Sequence, residues 1–192
     1  MPYTHEQPPL DELDPLQKIA VNRPVNDNEV LIITGCPGSG KTTVANYRVK
    51  NSNTQNKSVQ YLMWTKLLKS YINSVMITWN IPDSCINTIE KWYYGIFTRG
   101  RNKAFMTDWN TGNLYERDVI RNFSSIQNKY SQVILDEAQD LTPCQSAAFW
   151  KNQPDAVCYL LGDQHQRIYG WRGAYKCFEK VNPTKSFNLN YS

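Results

Sequence analysis

The chain has 192 residues, of which 41% are hydrophobic and 20% charged, and its formal net charge is +4. This length and composition predict one folded core rather than two large domains or a disordered chain, and the mild positive charge permits a nucleic-acid partner without requiring one. No stretch approaches the roughly 20 apolar residues of a membrane span and the five cysteines form no C-x-x-C pair, so we expect a soluble intracellular protein, cytoplasmic or nuclear, without a membrane partner or a metal-cysteine site.

The predicted elements begin after a proline-rich leader over residues 1–12, which we expect to be flexible. Asp14-Pro15 predicts the start of a short helix through Ala20, because aspartate is a good N-cap and proline suits the first helical turn. Four short apolar runs rich in β-branched residues then predict strands buried on both faces of a parallel sheet. These runs are Val30–Ile33, Val59–Trp64, Val133–Leu135 and Val157–Leu161.

Helix-compatible stretches separate the predicted strands. This alternation is typical of an α/β fold in which helices flank a parallel sheet. The region over about residues 98–130 breaks the alternation and lacks a clear period, so it is interpreted as a short insertion. We therefore predict a single α/β domain over residues 13–192.

A phosphate-binding motif follows the first predicted strand. The sequence G-C-P-G-S-G-K-T over residues 35–42 fits the P-loop pattern G-x-x-x-x-G-K-[ST] at every fixed position. Its glycines allow successive backbone N–H groups to point inward at a helix N-terminus, where phosphate binds. Lys41 would contact the β- and γ-phosphates of ATP, and the Thr42 hydroxyl would bind Mg²⁺. The predicted nucleotide-binding residues of this segment are Gly35, Pro37, Gly38, Ser39, Gly40, Lys41, Thr42 and Thr43.

A cluster of carboxylates ends the third predicted strand, in the sequence D-E-A-Q-D over residues 136–140. Ligands of open α/β sheets bind at the carboxyl ends of strands, which places this cluster beside the P-loop. Asp136 is a candidate Mg²⁺ ligand together with Thr42. Glu137 is the candidate base that orients and deprotonates the attacking water, so Lys41, Asp136 and Glu137 are predicted to be catalytic.

These residues resemble the UvrD/Rep-like superfamily 1 helicases, whose carboxylate block reads D-E-A-Q-D. A further block over residues 161–174, L-G-D-Q-H-Q-R-I-Y-G-W-R-G-A, is similar to the motif that links ATP to DNA in that family. The resemblance implies a RecA-like P-loop NTPase fold, with ATP and Mg²⁺ as cofactors. It implies that Gln166 senses the γ-phosphate and that Trp171 stacks on a base of single-stranded DNA, supported by Tyr169 and Arg172. An aromatic ring beside an arginine is a base platform that tolerates any sequence.

Weaker similarities fill out the N-terminal half of the family pattern. The segment over residues 13–21 resembles the family's opening motif, whose glutamine, here Gln17, reads the adenine edge. Trp64 occupies the aromatic position of a DNA-contacting segment in which Met63 replaces the usual threonine. Thr88 begins a segment similar to one that touches the DNA backbone, although Glu90 and Lys91 replace histidine and serine there.

The resemblance implies the ATP-binding N-terminal half of a DNA helicase, which couples hydrolysis to translocation and unwinding once a second RecA-like domain completes it. That domain would belong to a longer chain or to a partner subunit. No arginine follows the aromatic residues of the tail over residues 185–192, where the family carries one that stabilises transition-state charge. This departure favours an alternative, a truncated or decayed helicase-like module that binds nucleotide or DNA without useful turnover. A P-loop kinase is a weaker alternative, since it leaves the second and third blocks without a role.

Overall fold

The structure is a computed structural model that describes residues 7–97, 130–142, 145–146, 149–150, 155–163, 165–166 and 181–189. Its helices are α1 (Pro15–Asn22), α2 (Lys41–Thr54), α3 (Lys66–Thr78) and α4 (Ile89–Phe97). Its strands are β1 (Val30–Thr34), β2 (Val59–Met63), β3 (Ile86–Thr88), β4 (Gln132–Leu135), β5 (Val157–Gly162) and β6 (Lys185–Asn188).

The described strands form one six-stranded sheet in the order β3-β2-β4-β5-β1-β6, and every neighbouring pair is parallel. The four predicted strands are confirmed, each to within one residue at either end. The sequence did not predict β3 or β6. Only three residues make up β3, and in β6 a single buried side chain, Phe187, lies between exposed neighbours, so neither segment shows the apolar run of a buried strand.

Successive residues of the central strands face opposite sides of the sheet, and helices cover both sides. One hydrophobic core joins Leu31, Ile33 and Tyr159 to helices α1, α2 and α3. The other joins Ile32 and Leu160 to α4. Because both faces are covered, the central strands are apolar along their whole length. The predicted fold class, an α/β parallel sheet flanked by helices as in RecA-like P-loop NTPases, is confirmed.

Helix α1 starts with a capping box. The Asp14 carboxylate accepts a hydrogen bond from the backbone N–H of Gln17 at 2.9 Å, and the Asp14 backbone N–H donates to the Gln17 side-chain oxygen at 3.3 Å. Pro15 occupies the first helical turn, where its missing N–H costs nothing. The predicted helix start is therefore confirmed, and the capping box holds Gln17 in one orientation.

Replacing Asp14 with alanine is expected to lower the free energy of unfolding by about 1 kcal/mol, because the cap hydrogen bond is lost. Chemical denaturation of the two proteins measures the difference. Asp27→Ala removes an exposed carboxylate from the loop that follows α1 and serves as the control. Equal stability of the two variants would contradict the role given to the cap.

Residues of the predicted leader contact the helices. Asn46 donates to the Gln7 side-chain oxygen at 2.8 Å, Tyr47 donates to the Pro8 carbonyl at 2.8 Å, and Leu10–Glu12 form a 3-10 turn. Residues 1–6 and most of the predicted insertion over 98–130 lie outside the described residues. The division into a flexible leader, a domain over 13–192 and an insertion stays a prediction.

Candidate nucleotide-binding site

The P-loop leaves the carboxyl end of β1 and leads directly into α2. Gly38 and Gly40 adopt left-handed backbone conformations, with φ of 78° and 84°. Glycine adopts such angles without the penalty that a Cβ atom brings. The loop thus turns back on itself before Gly40, which caps α2, and the N-terminus of a fourteen-residue helix faces the loop. A helix N-terminus of this kind favours a phosphate group.

Lys41 lies inside the loop, with only 8% of the residue exposed. Its ammonium group donates hydrogen bonds to the carbonyls of Gly35 at 2.7 Å and Cys36 at 3.0 Å. Ser39 adds a buried hydroxyl oxygen for which the described residues supply no hydrogen-bond partner. The loop therefore concentrates a cation and polar hydrogens at one point, which suits an oxyanion such as the phosphates of ATP.

The Thr42 hydroxyl and the Asp136 carboxylate come together although they lie 94 residues apart along the chain. Thr42 donates to Asp136 at 3.1 Å, and Tyr61, at the centre of β2, donates to the same carboxylate oxygen at 3.0 Å. The other carboxylate oxygen accepts the backbone N–H of Glu137 at 3.0 Å. A hydroxyl and a carboxylate at this distance are oxygen ligands of the kind that Mg²⁺ prefers.

Asp136 is buried, with 1% of the residue exposed. Burial, followed by the negative charge of Glu137, raises the pKa of Asp136 from 3.8 to about 6, against the opposing effect of hydrogen bonds from Tyr61 and Thr42. An ionised carboxylate in this place has three hydrogen-bond donors, but the described residues place no cationic side chain in ion-pair contact with it. The donor set therefore fits a divalent cation, which would supply the missing positive charge.

Glu137 has a left-handed backbone, with φ of 54°, which is uncommon for a residue with a side chain. Its carboxylate accepts a hydrogen bond from the Gln139 side-chain amide at 2.6 Å, and the Gln139 side-chain oxygen accepts the backbone N–H of Asp163 at 3.2 Å. Gln139 thus connects the ends of β4 and β5. Such strained geometry is concentrated at functional sites, where surrounding contacts hold it.

Sequence reasoning gave no role to Gln139, Asp163 or Tyr61. Gln139 and Asp163 could have been found as polar residues that directly follow buried strands within motif blocks. Tyr61 had no such signal, because a tyrosine inside an apolar strand is indistinguishable from a core residue. Gln166 directly follows His165, is exposed, and donates its backbone N–H to the Asp163 carbonyl at 3.1 Å.

Two of the predicted DNA-contacting residues lie at the same carboxyl edge of the sheet. Trp64 is half-buried after β2, and its indole N–H donates to the Glu137 carbonyl at 2.9 Å. Thr88 ends β3 with 7% of the residue exposed, and its hydroxyl accepts the Lys91 backbone N–H at 3.2 Å at the start of α4. The other three predicted DNA-contacting residues, Tyr169, Trp171 and Arg172, lie outside the described residues. The DNA-binding roles stay predictions.

Gln17 lies against the P-loop. Its side-chain amide donates to the Ser39 carbonyl at 3.1 Å, and its side-chain oxygen belongs to the capping box of α1. A Cβ atom built on Gly40 would lie 2.3 Å from the Gln17 amide nitrogen. The absence of a side chain at Gly40 therefore lets Gln17 reach the loop, while its predicted contact with adenine stays a prediction.

A comparison of two glycine variants tests this contact. Gly38→Ala and Gly40→Ala both place a Cβ atom on a left-handed backbone, at a cost of about 1 to 2 kcal/mol each. Only the Gly40 variant meets Gln17, since nothing lies within 4 Å of a Cβ atom at Gly38. We expect Gly40→Ala to lower the free energy of unfolding by about 1 kcal/mol more than Gly38→Ala, because the Gln17–Ser39 hydrogen bond is lost. Urea denaturation measures the difference, and equal losses would contradict it.

A family model described as "AAA domain" matches residues 17–172, which include the P-loop, the carboxylate block and all but the last two residues of the third block. The chain belongs to this AAA domain family. Its likeness to the UvrD/Rep-like superfamily 1 helicases, and to their N-terminal RecA-like ATP-binding domain, is confirmed.

Two curated relatives are similar to parts of the chain. One is the F-box DNA helicase protein 1 of Schizosaccharomyces pombe, 46% identical over 79 residues, which are 36% of this chain and 9% of the relative. The other is the RecBCD enzyme subunit RecB of Escherichia coli, 37% identical over 54 residues, which are 27% of this chain and 5% of the relative. The matches thus span less than a tenth of either relative. Among the described residues, no helix has the length and apolar character needed to cross a membrane.

Proposed function

We propose that the chain is the ATP-binding and ATP-hydrolysing domain of a DNA helicase. The observation that supports this most strongly is the 3.1 Å contact between the Thr42 hydroxyl and the buried Asp136 carboxylate, beside Lys41 and Glu137. Two motifs from distant parts of the chain thereby supply a phosphate-binding loop, an oxygen ligand pair and a base at one edge of the sheet. The name of the Schizosaccharomyces pombe relative, a DNA helicase, supports the same class.

The proposed site divides the chemistry among a few side chains. The P-loop N–H groups and Lys41 bind the phosphates, and Thr42 and Asp136 hold Mg²⁺. The described residues contain no cluster of three His, Cys, Asp and Glu side chains, so phosphate oxygens and water would complete the coordination. When bound, Mg²⁺ neutralises charge that develops on the phosphates. Glu137 accepts the proton of the attacking water, and its hydrogen bond from Gln139 orients the carboxylate.

The Gln139 side chain connects Glu137 to the segment that carries Gln166, because it donates to the Glu137 carboxylate and accepts the Asp163 backbone N–H. We assign Gln166 to the γ-phosphate in this scheme. A shift of that segment on nucleotide binding would move the Gln139 amide and, with it, the base. Single-stranded DNA is the proposed second ligand, and a second RecA-like domain is the proposed partner for directional movement.

ATP binding and turnover test the proposal. The purified chain is expected to bind MgATP and hydrolyse it, with faster hydrolysis in the presence of single-stranded DNA. Lys41→Ala removes a charge-assisted contact worth about 1.5 to 3 kcal/mol, so its Kd for MgATP should rise about 10- to 100-fold. Lys50→Ala changes the same residue type in the same helix, where the ammonium lies over the rings of Tyr47 and Trp79, and should bind normally.

The outcomes separate the candidate functions. Hydrolysis that is lost in Lys41→Ala and retained in Lys50→Ala supports the enzyme. MgATP binding without turnover above that of Lys41→Ala, with DNA present or absent, would contradict the enzyme and support the alternative, a module that binds nucleotide without useful turnover. Failure of the chain to bind MgATP would overturn both.

Trp64 allows a separate test of whether a proposed DNA-contacting residue positions the proposed base, Glu137. Trp64→Phe keeps an aromatic ring but removes the indole N–H that contacts the Glu137 carbonyl. The lost hydrogen bond, worth about 1 kcal/mol, is expected to lower kcat about fivefold and to leave the Kd for MgATP unchanged. Trp79→Phe removes an indole N–H near Tyr47, away from the site, and should change neither quantity. A wild-type kcat in Trp64→Phe would contradict the positioning role.

A further inference from the structure

A cavity of about 400 Å³ lies at the amino edge of the sheet, opposite the P-loop. The segment after α1, the last turns of α2 and the first residue of β4 form its walls. Arg48 and Ser52 line it from α2, Gln132 from β4, and Lys57 from the loop before β2. Cavities of this volume lie within the range of roughly 300 to 1,000 Å³ typical of small-molecule sites.

Arg48 is the buried charge of this cavity, with 5% of the residue exposed. Its Nε atom donates to the Ala20 carbonyl at 2.8 Å, and its guanidinium carbon lies 5.0 Å from the centre of the Tyr159 ring. Its Nη2 atom is buried and has no hydrogen-bond partner among the described residues. A buried guanidinium that keeps a free donor is costly, because buried charges are normally paired and their donors satisfied.

Among the residues that the structure describes, no carboxylate lines the cavity to balance this charge. The carboxylate of Glu29 is committed to Arg23, with two hydrogen bonds at 2.8 and 3.2 Å. The groups that face Arg48 are therefore the Tyr159 ring and the Arg23–Glu29 pair. Burial is the largest effect on Arg48 and lowers its pKa, Tyr159 and Glu29 act in the opposite direction, and the charge of Arg23 adds to the lowering.

The other polar groups of the cavity wall differ in whether they already form hydrogen bonds within the protein. The Ser52 hydroxyl is engaged with the Arg48 carbonyl at 2.9 Å and the Gln132 side chain at 2.6 Å, and the Asn51 amide donates to the Val21 carbonyl at 3.2 Å. Lys57 is exposed at the rim and supplies a second positive charge. A negative group that enters past Lys57 would therefore meet a guanidinium with an unused donor.

We infer that this cavity binds a small anionic molecule, whose carboxylate or phosphate group pairs with the Arg48 guanidinium and is attracted by Lys57. Either group can accept a charge-assisted hydrogen bond from the Nη2 atom, since Nε is already bonded to the Ala20 carbonyl. The site is separate from the P-loop, since its walls come from the opposite ends of the strands. Its occupant would supply the negative charge that the described residues do not place beside Arg48.

Calorimetric titration with malonate and with inorganic phosphate tests this inference. Lys41→Ala serves as the parent protein in every titration, so that phosphate at the P-loop contributes little. At least one anion is expected to bind in the millimolar range or tighter. Arg48→Met, which preserves the side-chain volume, should raise its Kd about 10- to 100-fold, as expected for a hydrogen bond to a charged group.

Lys57→Glu gives a second measurement that does not depend on a buried substitution. Because Lys57 is exposed, the variant is expected to fold normally, and charge reversal at the rim should raise the Kd severalfold. Lys50→Glu makes the same change in α2 at a residue that does not line the cavity, where the ammonium lies over the Tyr47 and Trp79 rings, and should leave the Kd unaltered. Tighter binding of malonate identifies a carboxylate ligand, and tighter binding of phosphate a phosphorylated one.

The stability of the parent protein adds a readout that a purely structural arginine would not produce. The binding anion should raise the melting temperature of the parent in a saturable way and leave that of a folded Arg48→Met variant unchanged. Absence of binding by both anions would overturn the inference. Binding that neither Arg48→Met nor Lys57→Glu weakens would overturn it as well.

Discussion

The Glu137→Gln variant is expected to bind MgATP with a near-normal Kd and to hydrolyse it about 10² to 10⁴ times more slowly. The substitution keeps the size of the side chain and its oxygen acceptor for Gln139, but it removes the group that accepts a proton from water. The left-handed backbone of Glu137 and its contact with Trp64 do not depend on the carboxylate. Loss of turnover without loss of binding would thus identify the base.

A fluorescent ATP analogue measures the Kd, and phosphate release measures the rate. Glu12→Gln makes the same change at an exposed position near the N-terminus of the described chain and should behave as wild type. Hydrolysis at an undiminished rate in Glu137→Gln would exclude Glu137 as the base. A matching loss of binding would instead show that the side chain holds the nucleotide.

The Asp136→Asn variant is expected to be more stable than wild type above neutral pH while losing Mg²⁺-dependent hydrolysis. Because the folded state raises the pKa of Asp136 from 3.8 to about 6, the contribution of this group to stability is fully present below about pH 4 and is lost as the pH rises through about 6. At about 1.4 kcal/mol per pH unit, the ionised carboxylate costs the folded state roughly 3 kcal/mol.

Asparagine carries no charge to bury and keeps an oxygen for Thr42 and Tyr61, but it loses the acceptor for the Glu137 N–H, worth about 1 kcal/mol. We therefore expect a net gain of about 2 kcal/mol near pH 8, which changes to a loss of about 1 kcal/mol near pH 4, where only the missing acceptor counts. Urea denaturation in EDTA measures it. Asp155→Asn, an exposed change, should show no such pH dependence. A variant less stable than wild type near pH 8 would show that Asp136 is held by its hydrogen bonds at no net cost.

The two predictions together describe a site whose residues favour function over stability. Asp136 is buried without a counter-charge among the described side chains around it, and Glu137 has an uncommon backbone conformation. Both features are unfavourable in the isolated chain, and under the proposed function they would serve to bind a cation and a nucleotide. Binding of MgATP should accordingly stabilise the fold, since a ligand that binds only the folded state shifts the unfolding equilibrium.

Local sequence determined the parts of this protein that depend on neighbouring residues. The P-loop, the cap at Asp14 and the four apolar strands were predictable because glycine conformations, N-cap hydrogen bonds and buried apolar runs are properties of short segments. Strands β3 and β6 were not predictable, because they are stabilised by pairing with β2 and β1. A segment of three or four residues shows no sequence pattern that indicates such pairing.

Tertiary structure alone decided which of these parts meet. Thr42 reaches Asp136 only because β1 and β4 lie parallel on either side of β5, so that their carboxyl ends share one edge. The Gln139 link to Asp163 and the Trp64 link to Glu137 have the same origin. At the opposite edge, the same packing buries Arg48 beside a cavity that no carboxylate of the described residues lines. Contacts between distant segments depend on strand order and helix packing, and the linear pattern of residues does not specify either of them in enough detail.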